Sequence, residues 1–283
     1  MGASLARVGE TVTLVVRPWT LAAHPPKLQL ESTFGSWAVD VRWQASVPPA
    51  DVVWLAVKAT QLEAALRSIT DVGPIGAVVP LLNGIDHLEP MRSKFGADRV
   101  IPATIAGETE RVSTGHIVHR SPFAVLNISA RGRALLGPVS DQLRGIGFTC
   151  NFVDDETTLM WSKLAFLGPF ALATSAFAKP IGEVVADTER WRQLEGCVRE
   201  TCDAWQAEGA KLDSESVLRA IRNAPPGMRS SMQKDVDQRR PPELDAIGGA
   251  IVRASKRHGL RAPVTEGLMA EIEQRVNAAS AVS

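Results

Sequence analysis

Lys163 stands in the apolar run Leu159-Met160-Trp161-Ser162-Lys163-Leu164-Ala165-Phe166-Leu167. A helix of that composition must either let the ammonium snorkel to water or pair it. Desolvation makes an ammonium give up its proton more readily, so it can act as a donor near neutral pH. Both readings stand at this point. Glu243 lies in Pro241-Pro242-Glu243-Leu244-Asp245, at the start of an expected helix. An acid there complements the helix dipole whether or not it also binds a ligand. Ser230-Ser231 opens the preceding helix, as an N-cap or as a ligand-binding hydroxyl. Lys58 and Asn83-Gly84 each follow an expected strand directly, on the rim where α/β sheets bind ligands. A solvated lysine and an ordinary N-G turn are the structural alternatives. Arg17 ends the segment Val12–Arg17. A guanidinium there can clamp a ribose 2′-phosphate with paired hydrogen bonds, or simply sit in solvent.

Other chemistries find no support. Of the histidines His24, His87, His116, His119 and His258, only His116 and His119 are close. Three residues apart on a strand, they point to opposite faces, so no metal site is expected. There is no Gly-x-Ser-x-Gly elbow and no phosphate-binding P-loop. Cys150, Cys197 and Cys202 form neither a disulfide framework nor a CxxC pair, which suits a reducing, cytoplasmic setting.

These residues need elements to hold them. Thr11–Val16, Trp37–Trp43, Val52–Val57 and Ala77–Leu82 are short, rich in β-branched residues and bounded by Pro and Gly, as buried strands require. Thr60–Ile69 places Leu62, Ala65, Leu66 and Ile69 on one helical face. Strand, helix, strand at this spacing predicts parallel crossovers and an α/β sheet. Val100–Thr104, His116–His119 and Phe123–Ser129 read as further strands. Beyond Asp154 the pattern becomes helical: Glu156–Ala176 with a kink expected at Gly168-Pro169, then Thr188–Gly209, Ser230–Val236, Pro242–His258 and Pro263–Val276. The expected domains are therefore 1–153, α/β, and 154–283, all-α.

At about 150 residues per domain, a chain of 283 residues accommodates two. Lys+Arg and Asp+Glu each total 31, so no net charge draws the chain to nucleic acid or an anionic membrane. The longest apolar stretch, Leu164 to Ala178, is interrupted by Gly168-Pro169 and Thr174-Ser175 and falls short of the ~18 residues a membrane span needs.

Taken in order, several segments resemble the ketopantoate reductase (2-dehydropantoate 2-reductase) family. They are Leu5-Ala6-Arg7-Val8-Gly9 with Val12–Arg17, Val57-Lys58-Ala59, Leu82-Asn83-Gly84, Gly115–His119, Trp161-Ser162-Lys163-Leu164, Ser230-Ser231-Met232, and Glu243-Leu244-Asp245 with His258-Gly259. The resemblance implies a Rossmann-like dinucleotide-binding domain, a helical substrate and dimerisation domain, and NADPH-dependent reduction of a 2-keto acid to a 2-hydroxy acid, in the pantothenate route for the named enzyme. It implies that Lys163 donates the proton, Glu243 binds the substrate hydroxyl, Ser231 holds the substrate, and Asn83 touches substrate and cofactor. Lys58 would lie beside the cofactor and Arg17 would bind its 2′-phosphate. The implied partners are a small keto acid and a second copy of the chain.

Two departures accompany the resemblance. The family's asparagines four and eight residues beyond the lysine are Leu167 and Ala171 here, which suits a keto acid with a more apolar tail. The family's opening strand and glycine loop have no counterpart before Gly2–Val8, which reads as the rear of a first helix. This predicts a sheet with an open edge and coding sequence upstream of Met1. The alternatives to a 2-dehydropantoate reductase are a reductase for another small keto acid, or a non-catalytic ligand-binding protein on the same scaffold.

Overall fold

The computed structural model describes residues 1–69 and 76–281. They form two compact units. The first takes in Met1–Val57, Leu62–Leu81 and Leu88–Asp154, and the second Lys58–Gln61, Leu82–His87 and Asp155–Ser283. Two short segments that precede Asp155 in the chain thus group with the helices that follow it. Both carry residues singled out above, Lys58 and Asn83.

In the first unit, helix α1 (Gly2–Arg7) leads to strand β1 (Thr13–Val15), followed by β2 (Lys27–Ser32), β3 (Gly35–Asp40), β4 (Arg42–Gln44) and β5 (Val52–Leu55). Helix α2 (Leu62–Ser68), strand β6 (Ala77–Pro80) and helix α3 (Leu88–Phe95) come next. Strands β7 (Ala103–Ala106), β8 (Thr109–Ser113), β9 (His116–His119) and β10 (Ala124–Ser129), helix α4 (Arg133–Arg144) and strand β11 (Phe148–Val153) complete it. β1 pairs in parallel with β4, β5 with β6 and β10 with β11. Among the described residues β1 and β5 each have a single ladder partner. Antiparallel pairing is added where β2 meets β3, β8 meets β9 and β7 meets β10.

The segment expected as one strand, Trp37–Trp43, is two. β3 runs antiparallel to β2, whereas β4 runs parallel to β1, so the ladder partner changes at Val41. β2 itself has only two buried apolar residues, Leu28 and Leu30, alternating with exposed polar ones. The expected face of α2 is present: Ile69 is buried, while Leu62, Ala65 and Leu66 are half-buried.

The second unit is built on α5 (Glu156–Phe177), 22 residues long and buried over most of its length. At 1.5 Å per residue it spans about 33 Å. Around it lie α6 (Ile181–Ala186), α7 (Thr188–Ala207), α8 (Ser214–Arg222), α9 (Ser231–Asp237), α10 (Ala250–Arg257) and α11 (Pro263–Ala281). Pro169 lies inside α5, which remains helical through Gly168-Pro169 up to Phe177. Gly168 has a packing reason: a Cβ there would lie 2.7 Å from Ile251 Cδ1 on α10. The helix expected over Pro242–His258 is interrupted by a π-helical turn at Asp245–Gly249, a widening that often marks functional sites. No helix among the described residues is long and apolar enough to cross a membrane.

α5 is started by Asp155, whose carboxylate accepts from the backbone N–H of Thr157 and Thr158 and from the Thr158 hydroxyl. The Thr158 hydroxyl bond, then the backbone bonds, hold this carboxyl below its ordinary pKa. Its stabilisation is therefore present above the unfolded-state value and is lost as pH falls through the folded one. Asp155→Ala should cost about 1 kcal/mol in urea titrations at pH 7, and the difference should shrink in acid.

Candidate active site

The site is assembled within the second unit from loops and helix starts. Segment Lys58–Gln61 follows β5, and Leu82–His87 follows β6. Glu243 stands just ahead of the π-helical turn and is 8% exposed. Its Oε1 accepts from the backbone N–H of Ala59 at 2.7 Å, and its Oε2 from Asn83 Nδ2 at 2.9 Å. Two loops distant in sequence are thus fastened to one carboxylate. Gly84 permits the approach: it has φ +82°, and a Cβ there would lie 2.2 Å from the Ala246 carbonyl oxygen. A side chain would be excluded both by the left-handed backbone and by that contact.

Lys163, midway along α5, is partly buried. Burial lowers its pKa to about 8, and the negative charge of Glu243 opposes that fall. The charge of Glu243 thus acts on Lys163. An ammonium poised this way is charged at neutral pH yet gives up its proton easily.

Ion pairs that draw in residues without a signal in the sequence complete the setting. Lys58 Nζ donates to Asp235 Oδ2 at 2.7 Å, and Asp235 Oδ1 accepts from Arg240 Nε at 2.8 Å. Asp86 Oδ2 accepts from Arg253 Nε at 2.9 Å and Nη2 at 2.7 Å, while Arg253 Nη1 reaches Asp245 Oδ1 at 2.6 Å. Asp235, Asp86 and Arg253 look in sequence like ordinary helix-surface and turn residues. Only the fold shows that they hold the loops bearing Lys58 and Asn83.

His87 closes the second loop. It is 4% exposed, and neither ring nitrogen has a hydrogen-bond partner among the described residues. Burial, then the charge of Lys163, pushes its pKa down to about 4, so it is neutral at physiological pH.

The remaining residues separate. Ser230, rather than Ser231, caps α9: its hydroxyl accepts from the Gln233 N–H and shares a 2.9 Å hydrogen bond with Thr174. Ser231 is exposed, and no hydrogen bond engages its hydroxyl among the described residues. Leu167 packs half-buried on the core, whereas Ala171 is wholly buried within it. Arg17 belongs to the first unit, exposed two residues beyond β1, with its guanidinium 5.8 Å from the Trp19 ring centroid. His119 is bonded to Ser32 and Ser121, and His116 to Glu31. No cluster of His, Cys, Asp and Glu that could hold a metal occurs among the described residues.

Residues 1–131 match the family model for ketopantoate reductase PanE/ApbA, and residues 156–276 that for its C-terminal part. A curated 2-dehydropantoate 2-reductase of Mycobacterium tuberculosis is 33% identical over 232 residues, covering 78% of this chain and 75% of its own. Among solved structures, a PanE/ApbA family ketopantoate reductase of Ralstonia eutropha superposes with a TM-score of 0.87 at 24% identity, over 98% of this chain and 94% of its own. A D-mandelate dehydrogenase solved with NADH and anilino(oxo)acetate gives the same TM-score at 19% identity and the same coverage.

The lowered pKa of Lys163 carries a stability consequence. Up to about pH 8 the folded protein bears the cost of a buried ammonium. Between there and 10.5 the folded amine is neutral while the unfolded one is still protonated, so the cost fades. Lys163→Met should therefore melt higher than the parent at pH 7, with the gap closing as pH approaches 10.5.

Proposed function

Since this chain belongs to the ketopantoate reductase family, we propose that it reduces a 2-keto acid to the 2-hydroxy acid with NADPH, 2-dehydropantoate being the first substrate to test. The observation that carries this reading is the coupling of the half-buried Lys163 ammonium to Glu243, a carboxylate held by Asn83 and Ala59. As negative charge grows on the substrate's carbonyl oxygen, Lys163 Nζ stabilises it and supplies the proton. Glu243 keeps Lys163 charged and receives a substrate hydroxyl. Asn83, already bonded to Glu243, orients that carboxylate and reaches the substrate from the same loop. The exposed hydroxyl of Ser231 holds the substrate.

The family resemblance assigns the dinucleotide to the first unit. Arg17 is exposed beyond the end of a parallel strand, and no carboxylate partners it among the described residues. Its guanidinium is available to a ribose 2′-phosphate, and the resemblance assigns Lys58 a place beside the cofactor. When bound, the nicotinamide supplies the hydride.

A second reading, reduction of a keto acid with a bulkier apolar tail, draws support from Leu167, one helical turn beyond Lys163. A solved neighbour's name, D-mandelate dehydrogenase, points the same way.

NADPH oxidation followed against a panel of 2-keto acids tests these readings. Lys163→Ala should lower kcat by at least about 10²-fold, and the parent's rate should fall as pH rises through about 8, where the ammonium deprotonates. Parent-like rates in that variant, or no oxidation with any 2-keto acid, would overturn the proposal. Arg17→Ala should raise KM for NADPH by about tenfold while leaving KM for NADH nearly unchanged. An equal effect on both would remove the 2′-phosphate role.

A further inference from the structure

Trp19 leaves 78% of its surface in solvent, whereas the other large apolar side chains exposed among the described residues, Val15, Val112, Phe123 and Leu135, lie between 43% and 45%. Every other tryptophan of the chain is half-buried or buried. A lone exposed apolar residue needs no explanation by itself. Here, however, the turn that carries it is pinned, and a cation stands beside it.

That turn begins where the parallel strand β1 ends. Pro18 fixes its own φ and holds the preceding residue extended, and Arg17 accordingly has φ −62° and ψ 138°. A 3₁₀ segment then runs over Pro18–Ala23. The Arg17 carbonyl accepts from the backbone N–H and from the hydroxyl of Thr20, each at 2.9 Å. At the far end His24 Nδ1 donates to the Thr20 carbonyl at 2.7 Å, and its ring lies 4.2 Å from that of Trp43 on β4. The backbone is thus tied at both ends, while the side chains of Arg17 and Trp19 stay exposed.

Arg17 Cζ lies 5.8 Å from the Trp19 ring centroid, within cation–π range. Such a contact keeps the two groups together without consuming the N–H donors of the guanidinium. No hydrogen bond or ion pair engages those donors among the described residues. A flat π-face beside an uncommitted fork of donors matches a ligand that carries a heteroaromatic base and a phosphate close together. The adenosine 2′-phosphate end of NADP is such a ligand, its base and phosphate being attached to adjacent ribose carbons. A free phosphate would use the guanidinium and leave the indole idle. An apolar protein surface would use the indole and bury the guanidinium unpaired, which is costly. The carboxyl end of a parallel strand is also where α/β sheets receive ligands.

We propose that Trp19 stacks on the adenine of the cofactor while Arg17 takes the 2′-phosphate. This deepens the dinucleotide reading of the first unit and rests on it. Arg17 meets a group that only NADP carries, whereas Trp19 meets a base common to NADP and NAD. One residue sets selectivity and the other sets affinity.

The probe is adenosine 2′,5′-bisphosphate, which carries base and phosphate but no nicotinamide, added to the full chain without keto acid. Because Trp19 is the one exposed tryptophan, acrylamide quenching of the intrinsic fluorescence reports mainly on it. Saturating bisphosphate should shield that accessible fluorescence, and Trp19→Phe should abolish the shielding signal. By calorimetry, Trp19→Ala should weaken bisphosphate binding about tenfold, and Trp19→Phe, which keeps a π-face, by no more than about threefold. Trp19→Ala should weaken NADPH and NADH by the same factor, unlike Arg17→Ala. At so exposed a position the alanine should leave the melting temperature near that of the parent. Parent-like bisphosphate affinity in Trp19→Ala would overturn the stacking role while leaving that of Arg17 standing. Shielding that follows protein concentration instead of nucleotide would also refute it, and would assign Trp19 to contact between chains. A parent that binds no bisphosphate would refute it together with the dinucleotide reading, so the two failures are distinguishable.

Discussion

Keeping one half-buried ammonium charged among apolar side chains is the constraint around which the helical unit is arranged. Lys163 sits on a helix whose neighbouring side chains, Trp161, Leu164 and Ala165, are all buried. Isolated there, an amine would tend to neutralise. A carboxylate must stand nearby, and that carboxylate needs partners of its own. Glu243 finds them in a backbone N–H and an amide from two separate loops. The requirement thus passes outward from one side chain to the loops after β5 and β6, both of which must dock on the helices.

Docking by charge explains the rest of the loop chemistry. Asp235 is nearly inaccessible and takes one hydrogen bond from Lys58 and another from Arg240. Arg253 bridges Asp86 and Asp245. The second bridge lies largely in solvent, where a single pair contributes little. The first has one partner out of water, where breaking a pair costs more than making it gains. Such contacts contribute modestly to global stability and strongly to the place a loop adopts, which is what a site made of loops demands.

Much of this was legible in the sequence, and the exceptions have physical reasons. A charge inside an apolar run is conspicuous, so Lys163 could be found by composition alone. Glu243 could be found only beside the family resemblance, because helix starts commonly carry acids. Asp235, Asp86 and Arg253 carried no signal: a polar residue on a helix surface or in a turn acquires its role through tertiary contact. Ser230 and Ser231 were indistinguishable until the cap formed, and one of the two had to make it. Strand edges were blurred where the ladder partner changed, as at Val41 between β3 and β4. Periodicity reports burial, and both sides of that change mix exposed and half-buried positions.

The π-helical turn at Asp245–Gly249 has a geometric meaning of its own. It wedges one additional residue into what would otherwise be an unbroken α-helical spiral, so everything ahead of it is rotated by about 100° relative to an uninterrupted helix. Glu243 lies ahead of it, while Ala250, Ile251 and Ala254, which set the buried side of α10, lie behind. The azimuth of the acidic side chain is therefore decoupled from the side of the helix that packs. Removing a single residue from this stretch would restore the regular spiral and swing the carboxylate off Asn83 while leaving the core contacts of α10 in register.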